Sequence, residues 1–135
     1  MNDLRGNLLG TDSVAARDAV EKATWRLMSF YDPPLADLDQ AIAADPGWAL
    51  PHVMKAGFLL SLTEPSLVAE ARTHLEAARP LLDHGGPREA MHFGAVELAI
   101  HGRWHAAVRL WDDWLVENPR DALALQWAHL WDFYR

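Results

Sequence analysis

The chain has 135 residues, of which 50% are hydrophobic, and this suffices for one domain with a buried core. Its net charge is -7, with only 12 scattered basic residues, which argues against nucleic-acid binding because phosphate contacts need clustered cations. The absence of cysteine excludes disulfides and thiolate metal sites. No apolar run approaches the ~20 residues that span a bilayer, and no signal-peptide pattern opens the chain, so we expect a cytoplasmic protein without a membrane partner.

The first half of the chain shows apolar residues at helical spacing and no convincing alternation of the strand type. The first predicted helix follows the sequence GTDS, where Asp12 or Ser13 can cap it, and ends before Pro33-Pro34. A short second helix stops at Asp45-Pro46, and a third covers about residues 48–62.

The second half continues the same pattern. Ser66 is the expected cap of a fourth helix, which Pro80 should end or bend, and Pro87 opens a fifth helix. Gly102 separates the fifth helix from a sixth, and Asp121 is the expected cap of a seventh. The sequence therefore predicts an all-α protein of about seven helices.

Two segments of the chain repeat one plan. LDQAIAADPGW (38–48) and WDDWLVENPRD (111–121) align without a gap, and their prolines, Pro46 and Pro119, lie 73 residues apart. That separation is close to two tetratricopeptide units of about 34 residues.

Small residues occur where two antiparallel helices of such a repeat approach closely. Ala95 and Ala107 flank Gly102 at the expected offsets, and Ala56 holds the matching place in the earlier unit. The predicted architecture is a tetratricopeptide-like right-handed superhelix of antiparallel helix pairs.

A set of residues in both halves of the chain carries a family resemblance: Ala41, Asp45, Pro46, His52, Arg88, Glu89, His92, Ala95, Gly102, Ala107, Trp111, Pro119, Asp121, Ala124, Leu125, His129 and Phe133. Through these residues the second half resembles the N-terminal part of the tetratricopeptide repeat protein 38 family, and AIAADPGWALPHVMKAG (41–57) resembles an earlier segment of that family. The resemblance implies a helical-repeat scaffold with no settled catalytic activity. It also implies that residues 1–135 are a single domain from the N-terminal part of a longer repeat protein. Abundant alanine and scarce lysine suggest a bacterial source.

Three tryptophans, Trp104, Trp111 and Trp114, recur on one face of the sixth predicted helix. Such a stripe forms either a packing seam between repeats or an aromatic ligand pocket, and helical spacing favours packing.

Catalytic and metal-binding patterns are weak. His101 and His105 have the spacing of zinc ligands on one helix, but Gly102 lies between them at the expected turn. Asp112 and Asp113 are adjacent, so their side chains point about 100° apart and do not flank one bond. We therefore assign no catalytic residue, metal ligand or cofactor, and favour a non-catalytic protein.

Partner binding is the leading functional hypothesis, with a protein or peptide segment held in the concave face of the repeats. Within the first turn of the fifth helix, Glu89 should complement the helix dipole and Arg88 should reach Asp83 or another nearby carboxylate. The alternative is an enzyme or small-molecule-binding protein whose pocket, around His92, His129 and Trp127, is completed by further repeats. The residues assigned to the concave face are Val53, Glu89, His92, Val96, Gln126 and Leu130.

The seventh helix carries an apolar surface that a following repeat would cover. We expect this surface, formed by Trp127, Trp131, Phe133 and Tyr134, to make the chain a homodimer.

Overall fold

Seven α-helices make up most of the computed structural model, which describes residues 1–29 and 33–134 apart from the side chains of Phe133 and Tyr134. Within that range the only strand-like pairing is a single bridge between Asn2 and Leu8. Both results confirm the all-α prediction and the number of helices. The helices are α1 (Val14–Ser29), α2 (Leu35–Ala44), α3 (Leu50–Ser61), α4 (Val68–Ala78), α5 (Pro87–Ile100), α6 (Trp104–Glu117) and α7 (Ala122–Tyr134).

The helix ends mostly follow the signals in the sequence. The Ser13 hydroxyl accepts a hydrogen bond from the Ala16 backbone N–H at 3.1 Å and caps α1. Gly102 ends the α5 region with a φ of +77°, a conformation that glycine adopts without strain. Ser66 is not the cap of α4, because Pro65–Leu67 forms a short 3-10 turn that leads directly into the helix.

The helices pack as neighbouring pairs along the chain. Helix α1 lies against α2, α3 against α4, and α5 against both α6 and α3. Helix α7 packs on α6 and also meets α1, so the first and last helices are in contact. The Gln126 side-chain amide donates to the Leu27 carbonyl across this contact at 3.4 Å.

Four tryptophans fill the interior between α6 and α7, and we call Trp104, Trp111, Trp127 and Trp131 the tryptophan cluster. Trp111 and Trp131 stack with their ring centroids 4.8 Å apart, and Trp104 lies 5.7 Å from Trp131. Trp127 also reaches α3, where a Cβ atom placed on Gly57 would lie 2.5 Å from its ring. The cluster therefore bears out the packing interpretation of the α6 stripe for Trp104 and Trp111, while Trp114 is half-buried outside the cluster.

Residues 1–13, which we call the N-terminal strap, begin with a tight turn that the sequence did not predict. The Asp3 carboxylate accepts the backbone N–H groups of Arg5 and Asn7, each at 2.9 Å. The Leu9 N–H donates to the Met1 carbonyl at 2.8 Å, and Gly6 has a φ of +85°. This turn lies over the starts of α5 and α7.

Candidate functional site

A buried polar cluster joins α5 to α7 around Asp121. Arg88 donates from Nε to one carboxylate oxygen of Asp121 at 2.8 Å and from Nη2 to the other at 3.0 Å. The carboxylate has no solvent exposure, and it also caps α7 by accepting the Ala124 N–H at 3.1 Å. The sequence predicts Asp83 or another nearby carboxylate as the partner of Arg88, and in the structure the partner is Asp121. Asp121 presents both oxygens to the guanidinium in a buried site, which makes the pairing strong.

His92 connects this cluster to the tryptophans. The Trp111 indole N–H donates to His92 Nδ1 at 3.1 Å, so Nδ1 carries no proton. The ring proton therefore sits on Nε2, which donates to Asp121 at 2.9 Å. Burial lowers the pKa of His92 and outweighs the contact with Asp121, which raises it, so the imidazole is neutral.

Asp121 stays ionised in spite of its burial. Burial alone would raise the pKa of this carboxyl, but the contacts with His92 and Arg88 outweigh it and hold the pKa well below its usual range. The Trp114 indole N–H adds another donor at 3.0 Å. The carboxylate and the imidazole are fully buried, so in this conformation the cluster stabilises the junction of α5, α6 and α7 and is not accessible to a substrate.

Glu89 occupies a second buried position, next to Arg88 but facing the N-terminal strap. One carboxylate oxygen, Oε1, accepts the Trp48 indole N–H at 2.5 Å and the Gly10 backbone N–H at 2.8 Å. A Cβ atom on Gly10 would lie 2.7 Å from the other oxygen, Oε2, and a Cβ atom on Gly85 would lie closer still to Oε2. Glycine is therefore required at both positions for the backbone to reach the carboxylate. The Glu89 side chain is tied to long-range partners, whereas the sequence suggested only a local dipole interaction.

The residues assigned to a concave binding face are mostly interior. Val53, Glu89, His92 and Val96 are buried, so none of them contacts a partner in this conformation. The expectation of an open groove along these residues is not met, because the strap covers Glu89 and His92 packs edge-on against Trp127. Gln126 and Leu130 keep partial exposure, and Gln126 uses its amide to bind α1.

Two of the residues expected to form a self-association surface, Trp127 and Trp131, are also buried. Trp127 and Trp131 have no solvent exposure, because α7 turns its aromatic face into the tryptophan cluster. The side chains of Phe133 and Tyr134 lie outside the described residues. Of the residues named for the alternative pocket, His92 and Trp127 contact each other and His129 is exposed, and the pocket itself, which needs further repeats, stays a prediction.

An apolar groove lies instead at the outer surface, between the strap and the start of α7. Leu4 and Leu125 are exposed at 74% and 59%, and the depression beside them has a volume of about 520 Å³. We call it the strap groove. Sequence reasoning missed it because it depends on the fold of the strap, which has no helical period. Its lining residues are Leu4, Arg5, Gly6, Pro119, Arg120, Ala122 and Leu125.

Comparison with known proteins adds no assignment, because no protein-family profile matches the chain and no solved structure matches it. Over the described residues, no three histidine or acidic side chains come together as a metal site. His101 follows α5 and His105 belongs to α6, so Gly102 separates them as the sequence indicated. Among the described helices, none combines the length and the apolar character needed to cross a membrane.

Proposed function

We propose that this protein is a non-catalytic interaction scaffold that binds an extended segment of a partner protein in the strap groove. The observation that carries the proposal is the exposure of Leu4 and Leu125, which both line one depression. Two leucines facing a shared concave surface can bury an apolar side chain of a partner. The proposal keeps the scaffold role implied by the resemblance to tetratricopeptide proteins and moves the binding site from the inner face to the outer surface.

Charge defines the chemistry of the partner. Of the two arginines that line the groove, Arg5 already pairs with Glu21 at 2.9 Å. In the part of the chain that the structure describes, the Arg120 guanidinium has no carboxylate partner. An acidic residue next to an apolar one would therefore complement the groove. Glu117 lies in the adjoining depression and disfavours a second partner carboxylate there.

The walls of the groove are held in place before any partner binds. The Asn7 side-chain amide donates to the Arg120 carbonyl at 3.0 Å and ties the strap to the turn before α7. Pro119 restricts the backbone of the same turn. Binding to a prearranged surface costs less conformational entropy, which favours recognition of a short segment.

The test is a titration of the isotope-labelled protein, followed by NMR, with two peptides that alternate leucine with aspartate or leucine with lysine. We expect the acidic peptide to bind and to shift the signals of Leu4 and Leu125. Arg120→Glu should weaken that binding several-fold, as removal of an exposed ion pair does. Arg72→Glu is the matched control, since it makes the same charge change at an exposed site on α4. Equal binding of the two peptides, or no binding of either, would refute the proposal.

A further inference from the structure

The rings of the tryptophan cluster form a continuous chain from the surface into the interior. Trp104, at the start of α6, is half-buried, and its ring centroid lies 5.7 Å from that of Trp131. Trp131 stacks on Trp111 at 4.8 Å, and Trp127 lies 5.6 Å from Trp111. Rings at these separations are in contact. Indole is among the side chains that lose one electron most readily, so the cluster provides a path for an electron between Trp111 and the surface.

Only one of the three buried indoles in the cluster has a base in contact with its N–H group. Nε1 of Trp111 donates to Nδ1 of His92 at 3.1 Å. Nε1 of Trp127 and Nε1 of Trp131 are buried and have no hydrogen-bond partner in the part of the chain that the structure describes. The loss of an electron makes the indole N–H strongly acidic. Of these three rings, Trp111 is therefore the one that can pass its proton to a neighbouring side chain.

The His92 imidazole is positioned to accept that proton. It is neutral, and its other nitrogen, Nε2, is hydrogen-bonded at 2.9 Å to the ionised carboxylate of Asp121. Transfer of the proton from Trp111 to Nδ1 moves a positive charge towards this carboxylate and adds no charge to the interior, so the transfer is favoured electrostatically.

Trp114, outside the cluster, has a poorer proton acceptor. Its indole N–H donates to the Asp121 carboxylate at 3.0 Å. Burial raises the pKa of Asp121, but the contacts with His92 and Arg88 outweigh it and hold this pKa well below its usual range. The carboxylate is therefore a weaker base than the imidazole that faces Trp111.

We propose that the tryptophan cluster is a one-electron relay that carries an oxidising equivalent from a one-electron oxidant at Trp104 to Trp111. The oxidant takes one electron from Trp104 and is itself reduced, and the electron is replaced first from Trp131 and then from Trp111. The N–H bond at Nε1 of Trp111 breaks, and the proton forms a new bond with Nδ1 of His92. The product is a neutral tryptophan radical beside an imidazolium, in a position without solvent exposure. A one-electron reductant reverses the reaction, because it returns the electron to Trp111 while His92 returns the proton.

This inference does not rest on the proposed function. None of the residues that line the strap groove belongs to the tryptophan cluster. A failure of the relay therefore leaves peptide binding standing, and a failure of peptide binding leaves the relay standing.

The experiment is flash photolysis of the full chain with tris(bipyridine)ruthenium, which light and methyl viologen convert into a cationic one-electron oxidant. The net charge of -7 favours its approach to the protein. Every chain carries Trp25→Phe, because the exposed indole of Trp25 would compete for the oxidant. We expect the transient absorption of a neutral tryptophan radical, whose band lies at a shorter wavelength than that of the radical cation. Trp111→Phe should lose this band. Trp114→Phe is the matched control on the same helix and should keep it.

His92→Gln separates proton transfer from packing. Glutamine can accept from Trp111 and donate to Asp121 as histidine does, but its amide does not take up the proton. The radical that first appears in this variant should therefore absorb at the longer wavelength of the cation. An undiminished neutral-radical band in the Trp111→Phe or the His92→Gln chain, or no tryptophan radical in the Trp25→Phe chain, would overturn the proposal.

Should Trp111→Phe or His92→Gln lose its helical circular dichroism, Trp104→Phe replaces it. Trp104 is half-buried, so this change leaves the fully buried rings in place. The neutral radical should then form more slowly, because the oxidant no longer meets an indole of the cluster at the surface. An unchanged rate in a folded Trp104→Phe chain would overturn the proposal equally.

Discussion

Asp121 combines a local role with a long-range one. It caps α7 through the Ala124 N–H, and it also receives hydrogen bonds from Arg88 and His92. The cap follows from the sequence, because it depends on residues three positions apart. The pairing with Arg88 spans 33 positions and is decided by how α5 and α7 pack, so no local pattern reveals it.

Replacement of Asp121 by alanine should lower the free energy of unfolding by about 3–5 kcal/mol, because it leaves the Arg88 charge buried without its partner. Asp113→Ala, at an exposed position on α6, should change it by no more than about 0.5 kcal/mol. Urea denaturation of the two variants measures both values. A loss below about 1 kcal/mol for Asp121→Ala would show that the pair contributes little.

The stability should fall on mild acidification. Burial lowers the pKa of His92 below 6.5 in the folded state, so the unfolded chain takes up a proton that the folded chain excludes. This contribution is complete above pH 6.5 and is lost as the pH falls towards the folded-state pKa. His52 and His74 have lowered pKa values for the same reason and act in the same direction.

The double variant His52→Asn/His74→Asn isolates the contribution of His92. Its unfolding free energy should still decrease between about pH 7 and pH 5, by up to about 1.4 kcal/mol per pH unit for one proton. A flat profile for the double variant would mean that His92 has the same pKa in the folded and the unfolded chain, which would contradict this account.

At the level of the helices, the sequence predicted where most of them begin and end, because caps, prolines and glycines act locally. The spacing of apolar residues also predicted correctly that each helix has an apolar face shielded from water. It could not tell what covers such a face, and Val53 and Val96 illustrate this, since they were assigned to a partner and are buried within the chain itself. The strap, which covers Glu89, has no periodic spacing of apolar residues from which its position could be predicted.

The contact between α3 and α7 depends on a glycine. Gly57→Ala should destabilise the protein by about 1–3 kcal/mol, because the new methyl group would overlap the buried ring of Trp127. Gly94→Ala is the matched change within α5, where the nearest atom to the new Cβ is 3.7 Å away. It should stabilise the protein slightly, since alanine favours a helix more than glycine does. Thermal melts of both variants give the comparison, and equal melting temperatures would contradict this account of the α3–α7 contact.

For the molecule as a whole, the contact between α1 and α7 and the burial of the tryptophan cluster determine which surfaces remain for partners. The sequence indicated an apolar α7 that would join two copies. The aromatic side chains of that helix which the structure describes lie inside the chain instead, and the exposed Leu4 and Leu125 line the strap groove.

Trp131→Ser should therefore act on stability and not on assembly. We expect it to lower the free energy of unfolding by about 3–5 kcal/mol, as a large cavity in the core does. Leu125→Ser, at an exposed position of the same helix, should leave the stability nearly unchanged. Denaturation combined with light scattering separates the two effects. A Trp131→Ser chain of unchanged stability and reduced mass would place Trp131 at an interface.

The stacked rings of Trp111 and Trp131 also make the protein its own optical probe. Aromatic transitions in rings that lie 4.8 Å apart at an interplanar angle of 24° couple to each other, and this coupling produces paired bands of opposite sign in circular dichroism. Trp25, by contrast, is an exposed side chain of α1. A dissolved quencher can contact its indole ring and reduce its fluorescence. One unlabelled sample therefore reports separately on the packing of α6 with α7 and on the outer surface of α1.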